Sequence, residues 1–123
     1  MFNEKFNQVL AKEGVVSITS WADNQAHVVN TWNSYLVVAE GNRLLVPAYG
    51  MRQTEKNTIK NPQVLLTLGS KEVEGHRSPG AGFLVKGSAN YLSEGAEYDM
   101  MKAKFSFLTR VLAITVESIK QTI

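Results

Sequence analysis

No cysteine occurs among the 123 residues of the chain. That excludes disulfide scaffolds, thiolate nucleophiles, zinc ribbons, iron–sulfur clusters and thioether-linked cofactors together. Any redox chemistry must then be carried by a group held without a covalent link. Histidine is nearly absent too: His27 and His76 are the only two, and neither is spaced to a second ligand, so no metal centre is expected. No serine sits in a G-x-S-x-G elbow and no acidic pair stands out, so no catalytic side chain is assigned. An excess of one charge is also lacking. Thirteen Lys and Arg against eleven Asp and Glu leave +2, too little to argue for nucleic acid or an anionic membrane as partner. No apolar run approaches the ~18 residues of a membrane-spanning helix. The opening MFNEKFNQVL has no signal-peptide core, so a cytoplasmic location is expected.

What is present suits one soluble domain over residues 1–123, with 44% apolar and 20% charged residues. A chain of this length buries roughly two-thirds of its unfolded surface, enough for one modest core. Phe2, Phe6, Val9 and Leu10 recur at helical spacing before Gly14. β-Branched stretches then predict strands over 14–20, 26–32, 35–39 and 43–49, with hairpin turns at Asp23-Asn24 and Glu40-Gly41-Asn42. Pro47 marks an edge or a bulge late in its strand. A helix fits 51–60, stopped by Asn61-Pro62, and a strand fits 63–70. The stretch 71–82 reads as a flexible Gly/Pro loop, 82–92 as a strand bulged at Gly87, 93–107 as a helix and 110–119 as the last strand. Strands so closely spaced leave no room for βαβ crossovers, so the expectation is an antiparallel barrel with helices at its ends.

Two segments carry possible binding chemistry. In Tyr49-Gly50-Met51-Arg52-Gln53-Thr54, a glycine permits close backbone approach just where a helix opens with free amides. Thr54 adds a hydroxyl, and Arg52 and Lys56 add charge one turn apart: a phosphate cradle. In Asn30-Thr31-Trp32-Asn33-Ser34-Tyr35, amides and hydroxyls flank two aromatics inside apolar strand sequence, which suits a planar heteroaromatic ring and equally a polar kink between two sheets with Trp32 in the core. Gly80-Ala81-Gly82 is no dinucleotide loop, because a strand follows it where a helix would be needed.

Read in order, GVVSI, HVVNTWNSYL, GNRLLVP, GM-x-x-TE-x-N, VLLTLGS, PGAGFL-x-x-GSA and ITV-x-S-x-x-QT resemble the small FMN-binding proteins. These are split-barrel flavoproteins similar to pyridoxamine-phosphate oxidases and flavin reductases. The resemblance implies a mainly β fold with short helices, a six-stranded antiparallel Greek-key split β-barrel. It also implies a homodimer binding FMN near the subunit interface. Asn30, Thr31 and Trp32 would then lie along the flavin, with Asn33 and Tyr35 beside them. Tyr49, Gly50, Met51, Arg52, Gln53 and Thr54 would form the ring-edge and phosphate segment, and Phe107 would cover the flavin from the partner chain. Three residues depart from the pattern: Gln53 stands where lysine is expected, Tyr49 where glycine is, and Phe107 where tryptophan is. The implied function is an FMN-binding redox protein, a cytoplasmic electron carrier with an unidentified redox partner. The alternative is an FMN-dependent oxidoreductase on the same fold, a flavin reductase or an oxidase. A flavin-free barrel binding an oligonucleotide would need a basic stripe with interleaved aromatics, and the basic residues here are scattered.

Overall fold

A computed structural model describes residues 1–123. Helix α1 (Glu4–Leu10) starts where Asn3 accepts the Phe6 amide at 2.8 Å, capping one free donor, and Glu4 complements the helix dipole. Its Phe6 and Val9 are fully buried, and Phe6 meets Phe83 edge-on at 5.2 Å. Strands β1 (Val15–Ala22) and β2 (Gln25–Trp32) follow, joined by Asp23 and Asn24 with φ of 53° and 62°. Two consecutive left-handed residues make the tight turn whose twist matches paired strands.

Then come β3 (Val37–Ala39) and β4 (Arg43–Ala48), turned by Gly41 and Asn42 in the same backbone region. Pro47 lies past the end of β3, where one side of β4 has no strand partner to miss its absent N–H. Helix α2 (Arg52–Lys60), long strands β5 (Gln63–Glu74) and β6 (Pro79–Leu92), helix α3 (Ala96–Lys104) and strand β7 (Arg110–Gln121) complete the chain.

All strand pairings are antiparallel, in the order β2-β1-β5-β6-β7-β4-β3. The fold is mainly β with short helices, but the expectation of six strands closed into a barrel is corrected: there are seven, and no ladder joins β2 to β3. These edge strands are instead consecutive in sequence, linked by a 3₁₀ turn at Asn33–Tyr35. The sheet curls around a core that draws on β1, β4, β5, β6, β7 and α1. At Gly87 the β6–β7 register slips, so Lys86 faces Ser118 while Gly87 faces Val116. This is the expected bulge, with the extra residue on β7.

Three further expectations change. The 35–39 strand loses Tyr35 and Leu36, because the chain must turn there to pass from one sheet edge to the other. The predicted loop at 71–82 is mostly strand: Val73 and Ala81 are buried, so core packing holds the ladder through the glycines up to a tight turn at 75–78. The third helix stops at Lys104. Its Met101 is buried, and Tyr98 and Phe105 pack beside it on a second small core with Leu45, Leu108, Val111 and Ala113.

Candidate functional site

The first group of candidate residues lies where β2 ends. Side chains alternate along a strand, so Thr31 points inward and is buried while Asn30 and Trp32 point outward. Asn30 donates to the Val16 carbonyl at 3.4 Å, and Trp32 faces Val15 across the ladder. Tyr35 packs against Phe107 with ring centroids 5.5 Å apart and against Phe105 at 5.2 Å. The turn carrying Phe107 is held by Lys102, which donates to the carbonyls of Ser106 and Leu108 at 2.8 and 2.7 Å.

Asn33 is a correction to the sequence reading. It is fully buried, and its amide nitrogen donates to the carbonyls of Val9, Lys12 and Gly69 at 3.2, 3.0 and 3.1 Å. Its backbone N–H also reaches the Gly14 carbonyl at 2.9 Å. The amide hydrogens are thus used by the chain itself and are not offered to a ring outside. Asn33 rivets the connection between the sheet edges to α1 and β5.

The second group is the entry to α2. Gly50 has φ +72° with open space around it, and Met51 has φ +52°, a left-handed conformation uncommon for a side chain other than Asn or Asp. No side chain caps the helix, and the first helical bond runs from the Glu55 amide to the Met51 carbonyl at 3.0 Å. The amides of Arg52, Gln53 and Thr54 therefore lack helical partners and face back along the axis, where the dipole is positive. Thr54 is fully buried, and its hydroxyl has no partner. Gln53 donates to Asn57 at 2.9 Å, and Asn57 donates to Ser20 at 3.1 Å, which docks α2 on β1. Arg52 pairs with Glu55 at 2.9 Å.

Sequence reasoning missed Arg110. The residue is 5% exposed, and its guanidinium donates to the Gly50 carbonyl at 2.6 Å, with Glu55 at 3.1 Å and the Tyr91 ring 5.4 Å below it. The available signal was one charge opening the otherwise apolar run RVLAI. Segment 105–110 also links the two groups: Phe107 touches Tyr35, while Thr109 and Arg110 bond the carbonyls of Ala48 and Gly50. Trp32, Tyr49 and Phe107 stand 45%, 69% and 43% exposed, an unusual outlay of large rings toward solvent. The widest hollow, between the β5–β6 turn and the last residues (His76, Arg77, Ser78, Thr122, Ile123), includes none of these groups.

A family profile described as pyridoxamine 5′-phosphate oxidase matches residues 2–123. The chain belongs to the pyridoxamine 5′-phosphate oxidase family. A relative from Nitratidesulfovibrio vulgaris, called FMN-binding protein, is 47% identical over 118 residues, covering 96% of each chain. Among solved structures, Group A Streptococcus HupZ superposes with a TM-score of 0.80 at 17% identity, covering 99% of this chain and 94% of its own. An FMN-binding protein from Syntrophomonas wolfei gives 0.71 at 14% identity, covering 88% and 76%. At such identities the structural likeness speaks for the fold alone.

In this member of the pyridoxamine 5′-phosphate oxidase family, the α2 entry is held partly by charge. Burial works against ionisation of Glu55, but hydrogen bonds from Arg52 and Arg110 outweigh it and keep the carboxyl below its usual range. A carboxyl that titrates lower folded than unfolded stabilises the fold fully above its ordinary pKa, and that stabilisation is lost as pH falls toward the folded value. Thermal melts at descending pH below the ordinary glutamate value should therefore show a falling midpoint. Glu55→Gln should flatten part of that slope. The remainder belongs to carboxyls such as Glu97, which a hydrogen bond from Arg43 also holds low. An unchanged slope in Glu55→Gln refutes the assignment.

Proposed function

We propose that the chain binds FMN and works as a cytoplasmic redox carrier, assembled as a homodimer. The observation carrying this reading is the α2 entry. Three free amides, a left-handed Gly50-Met51 turn with open space and an unpartnered Thr54 hydroxyl suit the oxygens of a phosphate monoester. The 47% identical relative is named for the same cofactor. Bound FMN supplies reversible transfer of one or two electrons, for which the side chains here need provide no acid, base or nucleophile. Asn30 has an outward amide for the ring edge, Trp32 and Phe107 offer aromatic faces that exclude water, and Tyr35 backs Phe107. Asn33 takes no part.

With Gln53 uncharged and bonded to Asn57, and Arg52 turned to Glu55, the helix end and Thr54 carry more of the phosphate binding. Exposed Trp32, Val15 and Val28 share the outer face of β1 and β2, a surface that suits a second copy. An FMN-dependent oxidoreductase is the second reading. Within it, pyridoxamine phosphate is disfavoured as substrate, because the final VESIKQTI supplies one lysine for a second phosphate.

The test is titration of the purified protein, freed of any flavin, against FMN and riboflavin, followed by visible absorption and flavin fluorescence. FMN is expected to bind and riboflavin to bind more weakly, by about tenfold or more for a doubly charged phosphate at a helix terminus. Failure to take up FMN overturns the reading. Rapid reduction of the loaded protein by NADH or NADPH favours the oxidoreductase over the carrier.

A further inference from the structure

We infer that Arg110 is a positioning residue for phosphate recognition, holding the Gly50-Met51 turn so that the free amides of α2 converge on one point. The inference rests on the FMN reading of that site. Arg110 opens β7 at the heart of the sheet, and its fork has two jobs. One nitrogen, Nη2, reaches both the Gly50 carbonyl at 2.6 Å and Glu55 Oε1 at 3.1 Å; the other, Nη1, donates to Thr109 at 2.9 Å. Gly50 precedes α2 and Glu55 is in its first turn, so one rigid planar group spans the turn from both sides.

Such a brace has a reason to exist. Met51 occupies a left-handed conformation that is costly for a non-glycine residue and persists only when the surroundings impose it. Gly50 meets nothing within 4 Å of where a Cβ would sit, so its half of the turn is held by the hydrogen bond to its carbonyl, while Met51 packs on the core. A buried guanidinium also costs free energy to desolvate, which the Glu55 carboxylate and the Tyr91 face offset. Lysine would bring one compact charge to Gly50 and Glu55 but lacks the planar group that is fixed by Thr109 on one side and by the Tyr91 face below, so it would hold the turn less firmly. Arg110 is buried, with its Nη2 taken up by Gly50 and Glu55. It acts through the backbone of residues 50–54, and its effect falls on the phosphate rather than on the flavin ring.

The decisive quantity is the ratio of FMN to riboflavin affinity, measured by fluorescence titration of wild type, Arg110→Lys and Arg110→Met. Arg110→Met should lower FMN affinity about tenfold while leaving riboflavin affinity near wild type, a scale set by loss of one charge-assisted brace. Arg110→Lys should fall between, and it decides the question if Arg110→Met does not fold. Hydrogen exchange of the ligand-free proteins gives a second readout: the Glu55 amide, bonded to the Met51 carbonyl, should lose protection in both variants. Equal weakening of both flavins marks a merely structural arginine and overturns the inference, as does a wild-type ratio in both variants. A wild-type protein that binds neither flavin overturns the FMN reading itself, a separable outcome.

Discussion

Asn33→Asp should leave the protein unfolded or nearly so at neutral pH, as read by circular dichroism and a thermal melt. The substitution is isosteric, but aspartate brings an acceptor where three carbonyl oxygens converge within 3.0–3.2 Å. No cation stands among those partners, and the residue is 0% exposed. An unpaired carboxylate buried in this way costs several kcal/mol, comparable with the roughly 5–15 kcal/mol that holds a whole domain. Asn33→Ala should be milder, about 2–4 kcal/mol, because it removes the donor without adding repulsion. Gly14 belongs to the same knot: a Cβ there would lie 2.8 Å from the Asn33 amide nitrogen and 2.6 Å from the Gly69 carbonyl oxygen. A melt of Asn33→Asp that matches wild type would show that the rivet carries no weight.

Gly87→Val is the second large effect, expected to cost about 3 kcal/mol or more in a urea titration. A Cβ at this position would sit 2.5 Å from the Thr115 carbonyl oxygen and 2.8 Å from the Ile114 side chain. The oxygen belongs to the neighbouring strand at the point where the register slips, so it cannot retreat without breaking the β6–β7 ladder. Gly95→Ala is the control. Unlike Gly87 it has a left-handed φ, +103°, but open space around it, so the loss there is the backbone cost of roughly 1 kcal/mol without the collision. Equal losses in the two variants would mean that the bulge tolerates a side chain after all.

Local chemistry was legible in the sequence. Asp23-Asn24 and Gly41-Asn42 marked their turns because left-handed backbone selects few residue types, and Phe6 and Val9 marked the buried face of α1 by their spacing. Long-range accounting was not legible. Nothing near Asn33 in sequence says that its amide will meet carbonyls from residues 9, 12 and 69, so an amide beside tryptophan read as a ligand group. Glycines and Pro79 at 75–82 argued for a loop by local preference, and burial of Val73 and Ala81 overrode it. Arg110 escaped notice for the same reason: its acceptors at Gly50 and Glu55 lie some 60 and 55 residues away in the chain. The α2 entry was readable as a helix start with free amides because a glycine and a helical run are adjacent there.

The strand order also sets a timetable. β4 is finished by residue 48, yet its long ladder partner is β7, which begins at Arg110. On a growing chain the buried faces of Leu44, Val46 and Ala48 must wait for more than half the protein to be made. The only strand made earlier that pairs with β4 is the three-residue β3. Pairings of this sequence separation form late and slowly, and the exposed half-sheet is open to wrong partners meanwhile. The turn at Gly50-Met51 sits at that late junction, braced from β7. The α2 entry should therefore be among the last parts of the nascent protein to acquire its shape.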